Sequence, residues 1–289
     1  MLAIFAHINI DSVNSIAKTL IEKSRICRTF WVPPHHPLWL KIILASLICT
    51  HQSFPQSESG TVIVVAFMRD EIYIGADSKV FSGTPKASRC KITQANSVFI
   101  TVAGFATWKE FDIPLIAKKA CLLGGSASKK VDAFEALVKD PLANALSDIR
   151  AVDYSAFQRL IEPSDPDSAI CNVAFLGFEN GKPFCLVRKI RLTNAMQTLS
   201  ISKETLSIPP NANVFFKFWG KGNPDLNYLL VKREITLPLR MRRIIKAQAV
   251  LYEESVGEPI DILRITKIMA SWIDKPKGSK CQKIRPYWK

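Results

Sequence analysis

The sequence predicts an α+β fold, a two-sheet sandwich covered by helices, on three observations. Short apolar and β-branched runs separated by turn signals begin at Thr61; helical patterning interrupts them; and the order is strands, two helices, strands, helix, strand. The 289 residues, 48% hydrophobic with 12 Gly and 17 Pro, can form one large domain or two small ones with a real core. That composition excludes wholesale disorder, collagen and coiled coil. No apolar run reaches the roughly 18 residues needed to cross a bilayer as a helix.

The first strand is Thr61–Phe67, almost continuously apolar and β-branched, as in a strand buried on both faces. Arg69-Asp70 is a turn and Ile72–Ala76 the returning strand, which makes a hairpin. After the loop Phe81–Lys86, Lys91-Ile92 and Val98–Val102 form a second pair of short strands. Helical patterning runs from about Thr107 to Leu122, ended by Gly124-Gly125, and from about Val131 to Val152. Strands resume over Ala169–Phe178 and Pro183–Leu192 around a turn at Glu179–Lys182, followed by Thr198–Ile208 and Val214–Phe218. A further helix is expected over about Arg240–Glu254 and a last strand over Ile260–Thr266.

Residues 1–60 have a different character. Pro33-Pro34-His35-His36-Pro37 is a break, Gln52–Gly60 is polar and turn-rich, and between them lies Ile42–Cys49, eight apolar or small residues behind Lys41. That run has the length of a signal-peptide core and favours export, with the signal over about 37–59. About 40 residues precede it and no Ala-x-Ala site follows, so a translation start downstream, at Val32 or Leu38 through a non-Met codon, is expected. The alternative is an extension that stays on the protein. The chain then divides into a leader over 1–60, a folded domain over 61–273 and a basic C-terminal tail over 274–289.

All four histidines, His7, His35, His36 and His51, lie in the leader. Without it the folded body has no imidazole for a Ser-His-Asp or Cys-His mechanism and no His for zinc. The seven cysteines contain no CxxC pair, so no metal site is expected. Five follow the leader, a number that fits ordinary buried thiols, or at most two disulfides and a free thiol. Charge is uneven: 39 Lys+Arg face 25 Asp+Glu. Residues 275–289 hold Lys275, Lys277, Lys280, Lys283, Arg285 and Lys289 with no acid, and Lys232-Arg233 and Arg240–Arg243 form a second cluster. Such patches bind phosphates or anionic surfaces in a salt-dependent way. The plainer reading is a solvated tail and helix face, so no stable nucleic-acid or membrane partner is expected. Gly220-Lys221-Gly222 lacks the spacing of a phosphate loop.

Three residues converge at the start of the first strand. Thr61 follows Gly60, which has wide backbone freedom. Asp77 comes 16 residues later, near the end of the hairpin partner, and Lys91 comes 30 residues after Thr61 and opens the next strand. Antiparallel pairing returns the Asp77 end of the second strand to the Thr61 end of the first.

This stretch resembles the proteasome β-subunits and their bacterial relatives, the N-terminal-nucleophile hydrolases. Gly60-Thr61-Val62, Gly75-Ala76-Asp77-Ser78-Lys79, Lys91-Ile92 and Ala103-Gly104 match in order. The spacing from nucleophile to acid is that of the family, and the loop before the lysine is about two residues shorter. Lys221 stands where active family members have a serine, and Ser255, in Tyr252-Glu253-Glu254-Ser255, is the residue that carries over from their later Asp-x-x-Ser element.

The resemblance implies a four-layer αββα sandwich and a threonine-type peptidase or amidohydrolase without metal or organic cofactor. A threonine hydroxyl is a weak nucleophile that needs a base. Cleavage between Gly60 and Thr61 would give Thr61 an α-amine with a reference pKa near 7.7–8.0, suited to take the hydroxyl proton at neutral pH. By resemblance, Lys91 is cationic beside the Thr61 oxygen, Asp77 fixes Lys91, and the Gly104 N–H forms the oxyanion hole. The same hydroxyl would attack the Gly60 carbonyl to release the leader. A peptide or other amide is the expected substrate, and a homo-oligomer is compatible with the family's ring assembly. Two alternatives are a catalytically inactive scaffold or binding subunit and, more weakly, a basic nucleic-acid-binding protein.

Overall fold

The computed structural model describes residues 61–78, 89–161, 169–193, 198–207, 214–220, 236–252, 256–275 and 281–287. The leader with Gly60, and also Lys221 and Ser255, lie outside these residues. The fold is α+β with antiparallel sheets. The elements are β1 (Val62–Phe67), β2 (Glu71–Asp77), β3 (Ile92–Ala95), β4 (Val98–Gly104), β5 (Thr107–Trp108), β6 (Phe111–Asp112), α1 (Ile113–Leu122), α2 (Ala127–Val152) and α3 (Tyr154–Ile161). They continue with β7 (Cys171–Glu179), β8 (Lys182–Thr193), β9 (Thr198–Leu206), β10 (Phe215–Gly220), α4 (Leu237–Leu251), β11 (Ile260–Thr266) and β12 (Ala270–Asp274).

One five-stranded sheet has the order β10-β1-β2-β11-β12, a second has β3-β4-β7-β8-β9, and β5-β6 is a small hairpin. Strand β1 is buried at every residue, which accounts for its unbroken apolar text. Its residues alternate between two cores. Ile63, Val65 and Phe67 join Ile72, Ile74, Leu263 and Ile265 with Phe99, Ala174, Leu176 and Val187 of the second sheet. Val62, Val64 and Ala66 pack with Ile260, Ile262 and Met241, Ile244 and Ile245 of α4. A third core sets the other face of β4 and β7, through Ile100, Val102, Val173 and Phe175, against α1 and α2, including Phe134, Val138 and Leu142.

Several boundaries differ from those expected. Residues 107–112 form the β5–β6 hairpin rather than the start of a helix. Lys109 has a left-handed φ of 49°, which no right-handed helix accommodates. Helix α1 begins only after Asp112, whose carboxylate accepts the Leu115 N–H. Helix α2 starts earlier than expected because Ser126 caps it. Asp153 ends α2 and accepts the Ala156 N–H that starts α3, an unexpected extra helix. Helix α4 starts at Leu237, with Pro238 in its first turn, where proline costs no hydrogen bond.

The C-terminal residues also differ from a solvated tail. Asp274 ends strand β12 and pairs with Arg242 of α4. Cys281 is buried and disulfide-bonded to Cys90 across 191 positions. In the chain-entropy view a loop of that size stabilises by about 5 kcal/mol. Ile284 and Tyr287 pack on the core shared by the two sheets. The other three cysteines after Thr61 are buried thiols. Burial pushes the Cys121 thiol up to about 11 and raises Cys171 and Cys185 as well, so none offers a thiolate nucleophile at neutral pH.

Phe99 is fully buried between the two sheets and meets Tyr287 edge-on at 6.1 Å. Phe99→Ala is expected to cost about 3–5 kcal/mol in chemical denaturation; a loss below about 1 kcal/mol would contradict this account of the core.

Candidate active site

Thr61 lies immediately before β1 and is only 3% exposed. Antiparallel pairing of Ile63 with Ala76 returns the end of β2 to this point, and Ile260 of β11 pairs with Asp77 on the other side. In the second sheet Ile92 pairs with Thr101, so Lys91 and Gly104 lie at one common end of β3 and β4. An ion pair joins these two sheet ends. Lys91 Nζ donates to Asp77 Oδ2 at 3.1 Å, with side chains 6% and 0% exposed.

The second Asp77 oxygen, Oδ1, accepts the N–H of Val62 at 2.8 Å. Val62 is the residue after Thr61, so this bond ties the start of β1 to the buried acid. The Gly257 backbone also favours the charged form of Asp77. Burial pushes the Asp77 carboxyl above its ordinary value, while the Lys91 ammonium and the two backbone amides pull it back. The acid is thus buried at an electrostatic cost, offset by the Lys91 ammonium and the Val62 N–H.

Gly104 ends β4 with φ +97°, a conformation that favours glycine. A Cβ there would lie 2.4 Å from the Ile170 carbonyl oxygen, which already accepts the Phe105 N–H at 2.9 Å. Glycine is therefore required by close packing at this turn, whatever else its N–H does.

The structure brings Asp77 and Lys91 into direct contact and joins Asp77 to the backbone beside Thr61. Gly60 and Ser255 lie outside the described residues. Sequence reasoning missed a second set of buried polar groups behind the pair. Ser78 Oγ donates to Asp261 Oδ2, the Ser78 N–H donates to the Pro259 carbonyl at 2.8 Å, and the Arg89 N–H donates to the Ser78 carbonyl at 2.8 Å. The readable signal was Asp261 itself, a lone acid in the apolar run Ile260–Ile265. The Cys90 and Cys281 sulfurs and the Asp261 carboxylate cluster within 4.8 Å. Because the sulfurs are bonded to each other, they do not offer thiolates to a metal.

No family model matches the chain, and no curated protein matches it.

Removing Asp77 leaves a buried ammonium without its partner. Asp77→Ala is expected to destabilise the fold by about 3–5 kcal/mol in chemical denaturation. Double substitution with Lys91→Met should recover part of that loss; no recovery would contradict the ion pair.

Proposed function

We propose that this chain is a proteasome-like threonine-nucleophile amide hydrolase, acting on peptides and matured by cleavage between Gly60 and Thr61. The observation that carries the reading is the buried Asp77–Lys91 pair bonded to the Val62 amide, beside Thr61. Support for a four-layer αββα sandwich comes from the three cores: α1 and α2 against the second sheet, sheet against sheet, and the first sheet against α4.

In this mechanism the liberated α-amine of Thr61 takes the proton from its own hydroxyl, directly or through a water. The hydroxyl oxygen attacks the amide carbonyl, and the Lys91 ammonium favours the negative charge that develops there. Asp77 accepts from Lys91 and holds it. The Gly104 N–H serves the tetrahedral oxyanion, a role usually worth about 3–4 kcal/mol of barrier. The amine leaving group takes the proton, and water releases the acyl group from Thr61. Maturation uses the same oxygen on the Gly60 carbonyl. No histidine is required, in keeping with the confinement of all four to the leader.

A second reading, an inactive scaffold or binding subunit, draws on the near-complete burial of Thr61 in the uncleaved chain. Activity separates the two. Hydrolysis of a fluorogenic peptide panel by protein produced with residue 61 already at its amino terminus should fall at least about 1,000-fold in Thr61→Ala and about 100-fold or more in Lys91→Ala. Retained turnover in Thr61→Ala would refute the nucleophile assignment, and absence of turnover by a correctly cleaved wild-type chain on every panel member would favour the scaffold.

A further inference from the structure

Each member of the Asp77–Lys91 pair has a chain neighbour in one buried cluster. Ser78, next to Asp77, donates to Asp261 Oδ2. Cys90, next to Lys91, is bonded to Cys281, whose Sγ lies 3.2 Å from that same Asp261 oxygen. The Arg89 N–H to the Ser78 carbonyl, 2.8 Å, closes the connection between the two segments. Ser78 and Asp261 are fully buried. Asp261 Oδ1 has no hydrogen-bond partner among the described residues, a costly group to keep in a core for stability alone.

From Cys281 the chain runs along β3. Gln94 Nε2 donates to the Arg285 carbonyl at 2.8 Å, and the Arg285 N–H donates to Gln94 Oε1 at 2.7 Å. Trp272 Nε1 donates to the Gln282 carbonyl at 3.2 Å. Residues 281–287 therefore form a strap over the strand that Lys91 opens, fastened covalently at the residue before Lys91.

We propose that Cys90, Cys281 and Asp261 are positioning residues for Lys91: the disulfide and the buried carboxylate hold the Asp77–Lys91 pair through the chain neighbour of each member, so its seating requires the closed disulfide. The consequence for activity rests on the hydrolase reading above; the seating of Lys91 does not. A small-molecule dithiol opens the bond by exchange. It gives up two electrons and two protons, leaves as its cyclic disulfide, and Cys90 and Cys281 become thiols.

The test is lysine acetylation of the purified full chain, oxidised or reduced by a dithiol, read residue by residue by peptide mass spectrometry. Lys91, 6% exposed and paired, should resist the reagent in the oxidised protein and react at least tenfold faster after reduction. Lys217, 30% exposed and paired with Glu204 elsewhere in the fold, should keep its rate. Re-oxidation with a small disulfide should restore the protection of Lys91, and the Cys90→Ser/Cys281→Ser variant should match the reduced protein with or without dithiol. Asp261→Leu should raise Lys91 labelling at least threefold with the disulfide closed. An unchanged Lys91 rate on reduction overturns the proposal. A parallel rise at Lys217 also overturns it, because the disulfide would then be a general staple. If Lys91 responds as expected but no Thr61-dependent hydrolysis is found, the hydrolase reading fails and the positioning roles stand. If hydrolysis is present and indifferent to reduction, the link to activity fails while the hydrolase reading survives.

Discussion

The buried contact between Asp77 and Lys91 is the interaction on which the site geometry depends. It joins the end of β2 in one sheet to the start of β3 in the other. A carboxylate with 0% exposure tolerates its charge only with close partners. Here they are the Lys91 ammonium and the Val62 N–H. Because Val62 is one of them, the acid also fixes the backbone at the residue after Thr61. Moving β1, β2 or β3 would leave a charged or polar group unpaired in the core.

That constraint explains why buried polar residues gather at this end of β1, β2 and β11. Along β1 and β2 the side chains that fill the two cores carry no charge until Asp77. Ser78 and Asp261 continue the polar region, and the Cys90–Cys281 bond borders it. Buried networks of this kind favour one arrangement strongly over its neighbours, since each partner lost strands another. Such rigidity suits the proposed mechanism, in which a cation stays beside a weak nucleophile.

Much of this was legible in sequence where the signal is local. The hairpin of β1 and β2 follows from its apolar text and the Arg69-Asp70 turn, and its register brings Asp77 back toward Thr61. The β5–β6 hairpin was not legible, because it turns on a left-handed Lys109 with no glycine to mark it. Strand β12 was missed for a similar reason. The turn before it contains neither Gly nor Pro and is held instead by Thr266, whose hydroxyl accepts the Met269 N–H at 3.1 Å. The partners of Asp261 and the pairing of Cys90 with Cys281 span 183 and 191 positions, and nothing in local patterning encodes contacts at that separation. The basic C-terminal text suggested solvent; Lys283 and Arg285 are exposed, while Ile284 and Tyr287 between and after them pack against the core.

In the proposed mechanism a freed amine on Thr61 takes the place of the imidazole that residues 61–289 lack. The most direct test is the first residue of the protein purified from expression of its native gene, read by N-terminal sequencing and intact mass. Thr61 is expected at the amino terminus of the active species. An active protein whose chain still carries Gly60 and the leader would contradict it.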